Sequence, residues 1–254
     1  MAAVSPPRVL AIDGPAGAGK SSTARAVAER LGFAYVDTGS MYRALALAAE
    51  RAGVALDAEA ELAALLDRVE LRFHPEGRLS LDGADVTAEI RSAEASRAAT
   101  RVASLGSVRA RMVEMQRRMA ESCGSAVMEG RDIGTVVCPA SPIKIFLEAD
   151  LAERARRRIR QEGLVPTQPE LARVMEAIAE RDASDEGRAD GPLRAAPDAA
   201  RIDTTGLTFD QQVERVMLAV RERWPAAWGP LPPGAARAGR RAGPARRARP
   251  ERAR

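Results

Sequence analysis

Asparagine is absent from all 254 residues, and the chain has one histidine, two cysteines and two lysines. Without asparagine there is no N-glycosylation acceptor, and no guanine-reading Asn-Lys-x-Asp signature. The lone His74, in a turn-like His-Pro-Glu-Gly, excludes a multi-histidine metal site. Cys123 and Cys138 read as small buried hydrophobes and not as a disulfide or metal pair. Aromatic residues make up 3% of the chain, so Leu, Val, Ile, Met and Ala must build the core. No apolar run approaches the ~20 residues that a membrane-spanning helix needs. The opening MAAVSPPRVL lacks the charged and apolar regions of a signal peptide. A cytoplasmic location with no membrane contact is expected.

The net charge of +4 and the pI near 9.6 suggest a nucleic-acid binder at first sight. The distribution argues otherwise. Eight arginines and one glutamate lie beyond Pro225, more positive charge than the whole chain carries, so the preceding body is net acidic. From Trp228 to Arg254 the sequence is Pro, Gly, Ala and Arg in low-complexity order. Such a segment cannot bury enough apolar surface to offset its ordering entropy, and a disordered tail over 228–254 is expected. Nucleic acid is an unlikely partner except through this tail, for which a solvated extension is the simpler reading.

What is present is an alternation of strand-like and helix-like runs, the pattern of an α/β protein with a mainly parallel sheet covered by helices. Val9–Ile12 is a short continuous apolar run, as a buried parallel strand requires. A helix follows with Ala24, Val27, Ala28 and Leu31 on one face, ending at Gly32. Phe33–Val36 reads as a strand and Ser40–Gly53 as a helix with Leu45, Ala48, Ala49 and Ala52 inward. Later strands are Ala126–Met128, Ile143–Leu147 and Arg201–Asp203. A last helix starts at Thr208 with Gln211 placed for a capping box. Residues 69–87 instead alternate apolar and polar, with turn signals at Pro75-Glu76-Gly77 and Asp82-Gly83, the pattern of a small antiparallel meander. Helical sequence from Ser92 to Glu121, interrupted near Gly106, follows with a Val108, Met112, Met115, Met119 stripe read as core. The expected organisation is a domain over 1–227 with an inserted subdomain at about 60–105.

Gly14-Pro15-Ala16-Gly17-Ala18-Gly19-Lys20-Ser21 matches the phosphate-loop pattern G-x-x-x-x-G-K-[ST] in full. The glycines let backbone N–H groups turn inward as an anion nest, and the helix that follows adds its positive N-terminal end. Lys20 is one of only two lysines among 39 basic residues, which makes its arrival at this position by chance less credible. Lys20 would reach the terminal phosphates, and Ser21, followed by Ser22, offers a hydroxyl to Mg2+. Two further segments follow strand ends, where open sheets bind ligands: Asp37–Arg43 and Glu129–Asp132. Taken singly, Arg43 and Arg131 read as surface ion pairs; their shared placement suggests a grip on a second anion. Arg154, Arg156, Arg157, Arg158 and Arg160 crowd one short segment, a costly arrangement without anionic partners. A lid over phosphates at about 151–168 would supply them.

In this order, GPAGAGKSS, DTGSMYRALA, AEIR, EGRDIGTVV, KIFLEA, ERARRR and ERDASDEGR resemble bacterial cytidylate kinase over roughly residues 8–222. The resemblance implies a nucleoside monophosphate kinase fold with a lid and an enlarged monophosphate-binding insert, acting as a monomer on ATP and CMP or dCMP with Mg2+. It implies that Gly14–Ser22 holds ATP, with Ser21 meeting the metal. It puts Thr38 and Arg43 in the monophosphate site and Arg131 beside the transferring phosphate. Thr100, Arg109 and Asp132 would read cytosine; Arg181, Asp185 and Arg188 would contact the sugar and phosphate side; Arg154 and Arg158 would belong to the lid. The alternatives from the residues alone are a phosphate-loop kinase for another small acceptor, and an NTPase that binds nucleic acid through the basic tail.

Overall fold

The first strand, β1 (Arg8–Asp13), lies at the centre of a five-stranded sheet and is buried on both faces, as its unbroken apolar run requires. The computed structural model describes residues 7–74 and 77–236. From β1 the chain turns through the glycine loop into α1 (Lys20–Leu31), which ends at Gly32 in the left-handed conformation. β2 (Ala34–Asp37) and α2 (Thr38–Ala52) follow, with Asp37 capping α2 by accepting from the Ser40 N–H at 3.0 Å.

The next stretch leaves the main sheet. Helix α3 (Glu59–Leu66) precedes β3 (Leu71–His74), β4 (Arg78–Leu81) and β5 (Ala84–Asp85), an antiparallel sheet in the order β3-β4-β5. Then come α4 (Ala93–Val102) and the long α5 (Gly106–Cys123), separated by a turn over 103–105, just before Gly106. The chain rejoins the main sheet with β6 (Ser125–Gly130), makes a π turn at Ile133–Val137, and continues through β7 (Ile143–Glu148), α6 (Leu151–Gln161) and α7 (Gln168–Glu186). β8 (Ala200–Asp203), α8 (Phe209–Glu222) and a last turn, α9 (Pro233–Ala236), complete the described chain. The capping box at the start of α8 is present, with Thr208 and Gln211 bonded reciprocally.

All five strands of the main sheet are parallel, in the order β2-β6-β1-β7-β8. Alternate residues of β1 serve two cores. Leu10 and Ile12 pack with α1 and α8 on one face, while Val9 and Ala11 join Val113, Ala120, Ile133 and Val137 on the other. A third cluster, Leu45, Leu62, Leu66, Leu79, Leu81, Val108 and Met112 among others, joins α2, α3 and the small sheet to the first half of α5. Helix α5 therefore belongs to two cores, which ties the insert to the main sheet. The pair α6 and α7 packs on its own small core of Ala155, Ile159, Val174 and Ile178.

Three local readings need correction. The tail does not begin at Trp228. Trp228, Leu231 and Ala235 pack against the α1–α8 core, Trp224 and Trp228 stack edge-on at 5.2 Å, and Arg221 Nε donates to the Ala235 carbonyl at 2.9 Å. Two tryptophans and a leucine near the start of the low-complexity stretch supply the apolar area that composition averages hid. The remaining expectation of disorder falls on residues 237–254, outside those described. Cys123 is exposed and Cys138 half-buried, both as free thiols, because Cys123 closes α5 beyond its last buried residue, Ala120. Ala52 is likewise exposed at the end of α2, one residue before the helix stops at Gly53.

Candidate functional site

The glycine loop leaves the carboxyl end of β1 and enters α1, with the N-terminal end of α1 pointing at the space the loop encloses. Gly14, at φ 146°, lies so close to β7 that a Cβ there would come within 2.1 Å of the Leu147 carbonyl oxygen. The loop is braced from behind chiefly through its carbonyls. Gln212 Nε2 donates to Ala18 O at 3.3 Å and Gly19 O at 3.2 Å, and Thr204 Oγ1 donates to Ala18 O at 3.3 Å. Arg157 holds Thr204 in turn, through Oγ1 at 2.9 Å and the carbonyl at 2.6 Å.

Lys20 is only 7% exposed and its Nζ donates to the Pro15 carbonyl at 2.8 Å. Burial, then the neighbouring Arg131 charge, holds its ammonium well below the usual lysine range, with Glu129 opposing. A buried cation destabilised in this way gains strongly from a phosphate brought beside it. Ser21 lies close enough to Glu129 to lower its carboxyl, whereas the Ser22 hydroxyl turns back to Gly19 O at 3.0 Å. Glu129 is buried at the end of β6, takes a 2.5 Å bond from the Tyr35 hydroxyl, and has its carboxyl raised by burial and the charge of Asp37.

A crowd of arginines lies next to Lys20. Arg131 Nε donates to Asp185 Oδ2 at 2.7 Å, and Arg188 pairs with the other oxygen of the same carboxylate. Burial alone would raise the Asp185 carboxyl, but Arg131 and Arg188 hold it below the usual range. Arg181 is buried beside them and has no ion pair among the described residues; burial, then the charge of Arg131, lowers its guanidinium to about 10. Arg43, on α2, pairs with Asp37 at 2.9 Å. The Nε atoms of Arg43, Arg181 and Arg188 are buried without a hydrogen-bond partner among the described residues. Two aspartates, Asp37 and Asp185, do not neutralise four guanidinium groups, so the cluster is suited to an anion. Thr38 starts α2 at its border, donating through Oγ1 to the Glu129 carbonyl at 2.7 Å.

Beyond the cluster, Arg109 of α5 and Asp132 form a buried ion pair, and Arg109 Nη1 reaches the Tyr42 hydroxyl at 3.5 Å. Its Nε is also buried and unpartnered among the described residues. Burial raises the Asp132 carboxyl against the pull of Arg109. A planar fork beside a carboxylate offers both donors and an acceptor, the set needed to read the edge of a base.

Two of the resemblance-derived residues stand apart from this group. Thr100, on α4, donates its hydroxyl to Ser96 O one turn back at 3.1 Å. Arg158 pairs with Glu162 at 2.9 Å along its own helix and is about a third exposed. Arg154, by contrast, is buried against the glycine loop. Its Nη1 donates to Ala16 O at 3.1 Å and pairs with Asp182, which also accepts from the Ala16 N–H at 3.3 Å. Sequence reasoning missed Asp13, Tyr42, Asp182, Thr204 and Gln212 as members of the site. Asp13, adjacent to Gly14, Tyr42, inside DTGSMYRALA, and Asp182, inside the ERDASDEGR run, carried a local signal; Thr204 and Gln212 did not.

The family model described as cytidylate kinase matches residues 10–222. Among curated relatives, the cytidylate kinase of Geobacillus kaustophilus (strain HTA426) is 48% identical over 218 residues, covering 84% of this chain and 96% of the relative. That of Symbiobacterium thermophilum is 47% identical over 213 residues, covering 82% and 94%. That of Mycobacterium avium (strain 104) is 46% identical over 218 residues, covering 85% and 96%. The match spans the glycine loop, the arginine cluster and the Arg109–Asp132 pair alike, and the chain belongs to the cytidylate kinase family, with that family's phosphate-loop nucleoside monophosphate kinase fold.

Proposed function

We propose that this protein transfers the γ-phosphate of ATP to CMP or dCMP, giving ADP and the corresponding diphosphate. The observation that carries the reading is the juxtaposition of two anion sites, the loop with Lys20 and the arginine cluster around Asp185, with the Arg109–Asp132 pair at the far side. ATP would lie in the loop Gly14–Ser22. The acceptor phosphate would lie among Arg43, Arg131, Arg181 and Arg188, near Thr38, with its base toward Arg109 and Asp132. Thr100 would close over the base from α4.

The acceptor phosphate is largely ionised at neutral pH, with a second pKa of ~6, so the attacking oxygen needs no general base. Lys20 and Arg131 would neutralise the charge that spreads over the transferring group, and the fixed loop would hold it in line. Hard oxygen donors suit Mg2+; Ser21 would meet the ion, with Glu129 beside it in reach of its water shell. Bound there with ATP, the ion would supply positive charge against the phosphates. The α6–α7 pair would act as a lid, with Arg154 turned inward and Arg158 reaching the phosphates on closure, which excludes water and limits hydrolysis. A cytoplasmic monomer is part of the same proposal.

The test is ADP release with Mg-ATP against CMP, dCMP, UMP, AMP and GMP in turn. Fast release with CMP and dCMP and slow release with the rest is expected. Indifference to every monophosphate would overturn the acceptor assignment, and stimulation by RNA or DNA would move the search to the basic tail.

A further inference from the structure

The carboxylate of Asp13, the last residue of β1, accepts two consecutive backbone N–H groups from another part of the chain. Oδ1 takes the N–H of Ile133 and Oδ2 that of Gly134, each at 2.8 Å. Asp13 is buried and has no part in the phosphate chemistry described above. Its partners directly follow Arg131 and Asp132. The β1–β6 ladder ends at the Asp13–Gly130 pair, so no sheet hydrogen bond restrains the chain beyond Gly130. Asp132 itself stands outside helical geometry at φ −144° and ψ 23° before the π turn begins. The far end of that turn is tied separately, by Arg117 donating to Val136 O at 2.7 Å and Val137 O at 2.8 Å.

We propose that Asp13 is a positioning residue: its carboxylate pins the Arg131–Gly134 segment to the root of the glycine loop, setting the base-reading Asp132 at a constant distance from the ATP site. A buried carboxylate is costly unless its oxygens are bonded, and two converging N–H groups of one turn are what hold it. The same bonds deny the segment the freedom to swing. Arg131 lies on the same tether, so the phosphate of the acceptor and its base are registered together. This inference rests on the reading of Asp132 as a base contact, and the experiment separates the two.

Asp13→Asn keeps the shape but turns one acceptor oxygen into a donor facing an N–H. Loss of a charge-assisted bond and the unpaired donor it leaves are expected to raise KM for CMP roughly tenfold or more. KM for ATP should move by less than about threefold, because the loop's own braces, Gln212 and Thr204, are untouched. The preference for CMP over UMP should shrink in the same variant. An unchanged KM for CMP, or equal rises for ATP and CMP, overturns the proposal. Amide hydrogen exchange on the wild-type enzyme gives a readout that needs no variant. Ile133 and Gly134 should be strongly protected, and exchange at the rate of an open loop overturns the tether. If the wild type prefers another monophosphate, the base reading fails, and the ratio of KM values is then taken on that acceptor.

Discussion

Arg131 and Asp185 face each other beneath the arginine cluster, Nε to Oδ2 at 2.7 Å, with Asp185 only 1% exposed. Asp185 sits on α7 and Arg131 follows β6, so the bond joins that helix to the main sheet. It also supplies the negative charge that the buried arginines share. Removing it leaves Arg131, Arg181 and Arg188 repelling one another. Asp185→Asn should lower stability by about 3 kcal/mol. Inorganic phosphate should restore part of the loss by replacing the missing anion. Thermal unfolding with and without phosphate checks this, and a phosphate-insensitive melting temperature would refute the neutralising role.

Lys20→Met should cut turnover by several orders of magnitude while leaving the circular dichroism spectrum and the melting temperature nearly unchanged. The lysine is buried with its charge poorly supported, its Nζ donating to the Pro15 carbonyl at 2.8 Å, so its loss costs the fold little. Steady-state kinetics on the folded variant decides it; wild-type turnover would remove Lys20 from the chemistry.

Asp132→Ala should depress kcat/KM for CMP more than for UMP or AMP if, as proposed, the pair with Arg109 offers its acceptor and donors to one base edge. A buried polar contact to the correct base contributes of order tenfold or more to discrimination. Equal losses on all three nucleotides would mean that Asp132 does not read the base.

The Asp13 carboxyl, pushed up by burial to about 7 from an ordinary 3.8, has a definite pH signature. Between those values the folded protein binds a proton that the unfolded chain has released, so this group's contribution to stability falls as pH rises through the window. The difference in unfolding free energy between the wild type and Asp13→Asn should therefore shift against the wild type between about pH 4 and pH 7. Denaturant titrations across that range test it, and a difference independent of pH would contradict the raised value.

Thr208→Ala removes one half of the capping box that starts α8 and should cost about 1 kcal/mol in stability with activity retained. Chemical denaturation beside the standard assay measures both.

Much of this was open to inspection in the sequence. The apolar run Val9–Ile12, the pattern Gly14–Ser21, the glycine stop at Gly32 and the Thr208–Gln211 signature are local, and local geometry follows from local chemistry. The alternation over 69–87 folds as a three-stranded antiparallel sheet for the same reason. The tail was misjudged because composition over a long window outweighed Trp228 and Leu231, whose value depends on the apolar groove beside α1.

By itself the sequence determined that a phosphate-binding loop joins a buried strand to a helix, and that charged motifs follow the ends of other strands. Each of these depends on residues within a few positions of one another. Only the tertiary structure decided which charges share a space. The order β2-β6-β1-β7-β8 brings Glu129 beside Ser21 and sets Asp13 under Ile133 and Gly134; the fold of α5 and α7 against that sheet gives Arg109 to Asp132, and Asp185 to both Arg131 and Arg188. Those partners lie up to 121 residues apart in the chain, and Coulomb attraction and hydrogen bonding act through distance in space, which the order of residues does not state.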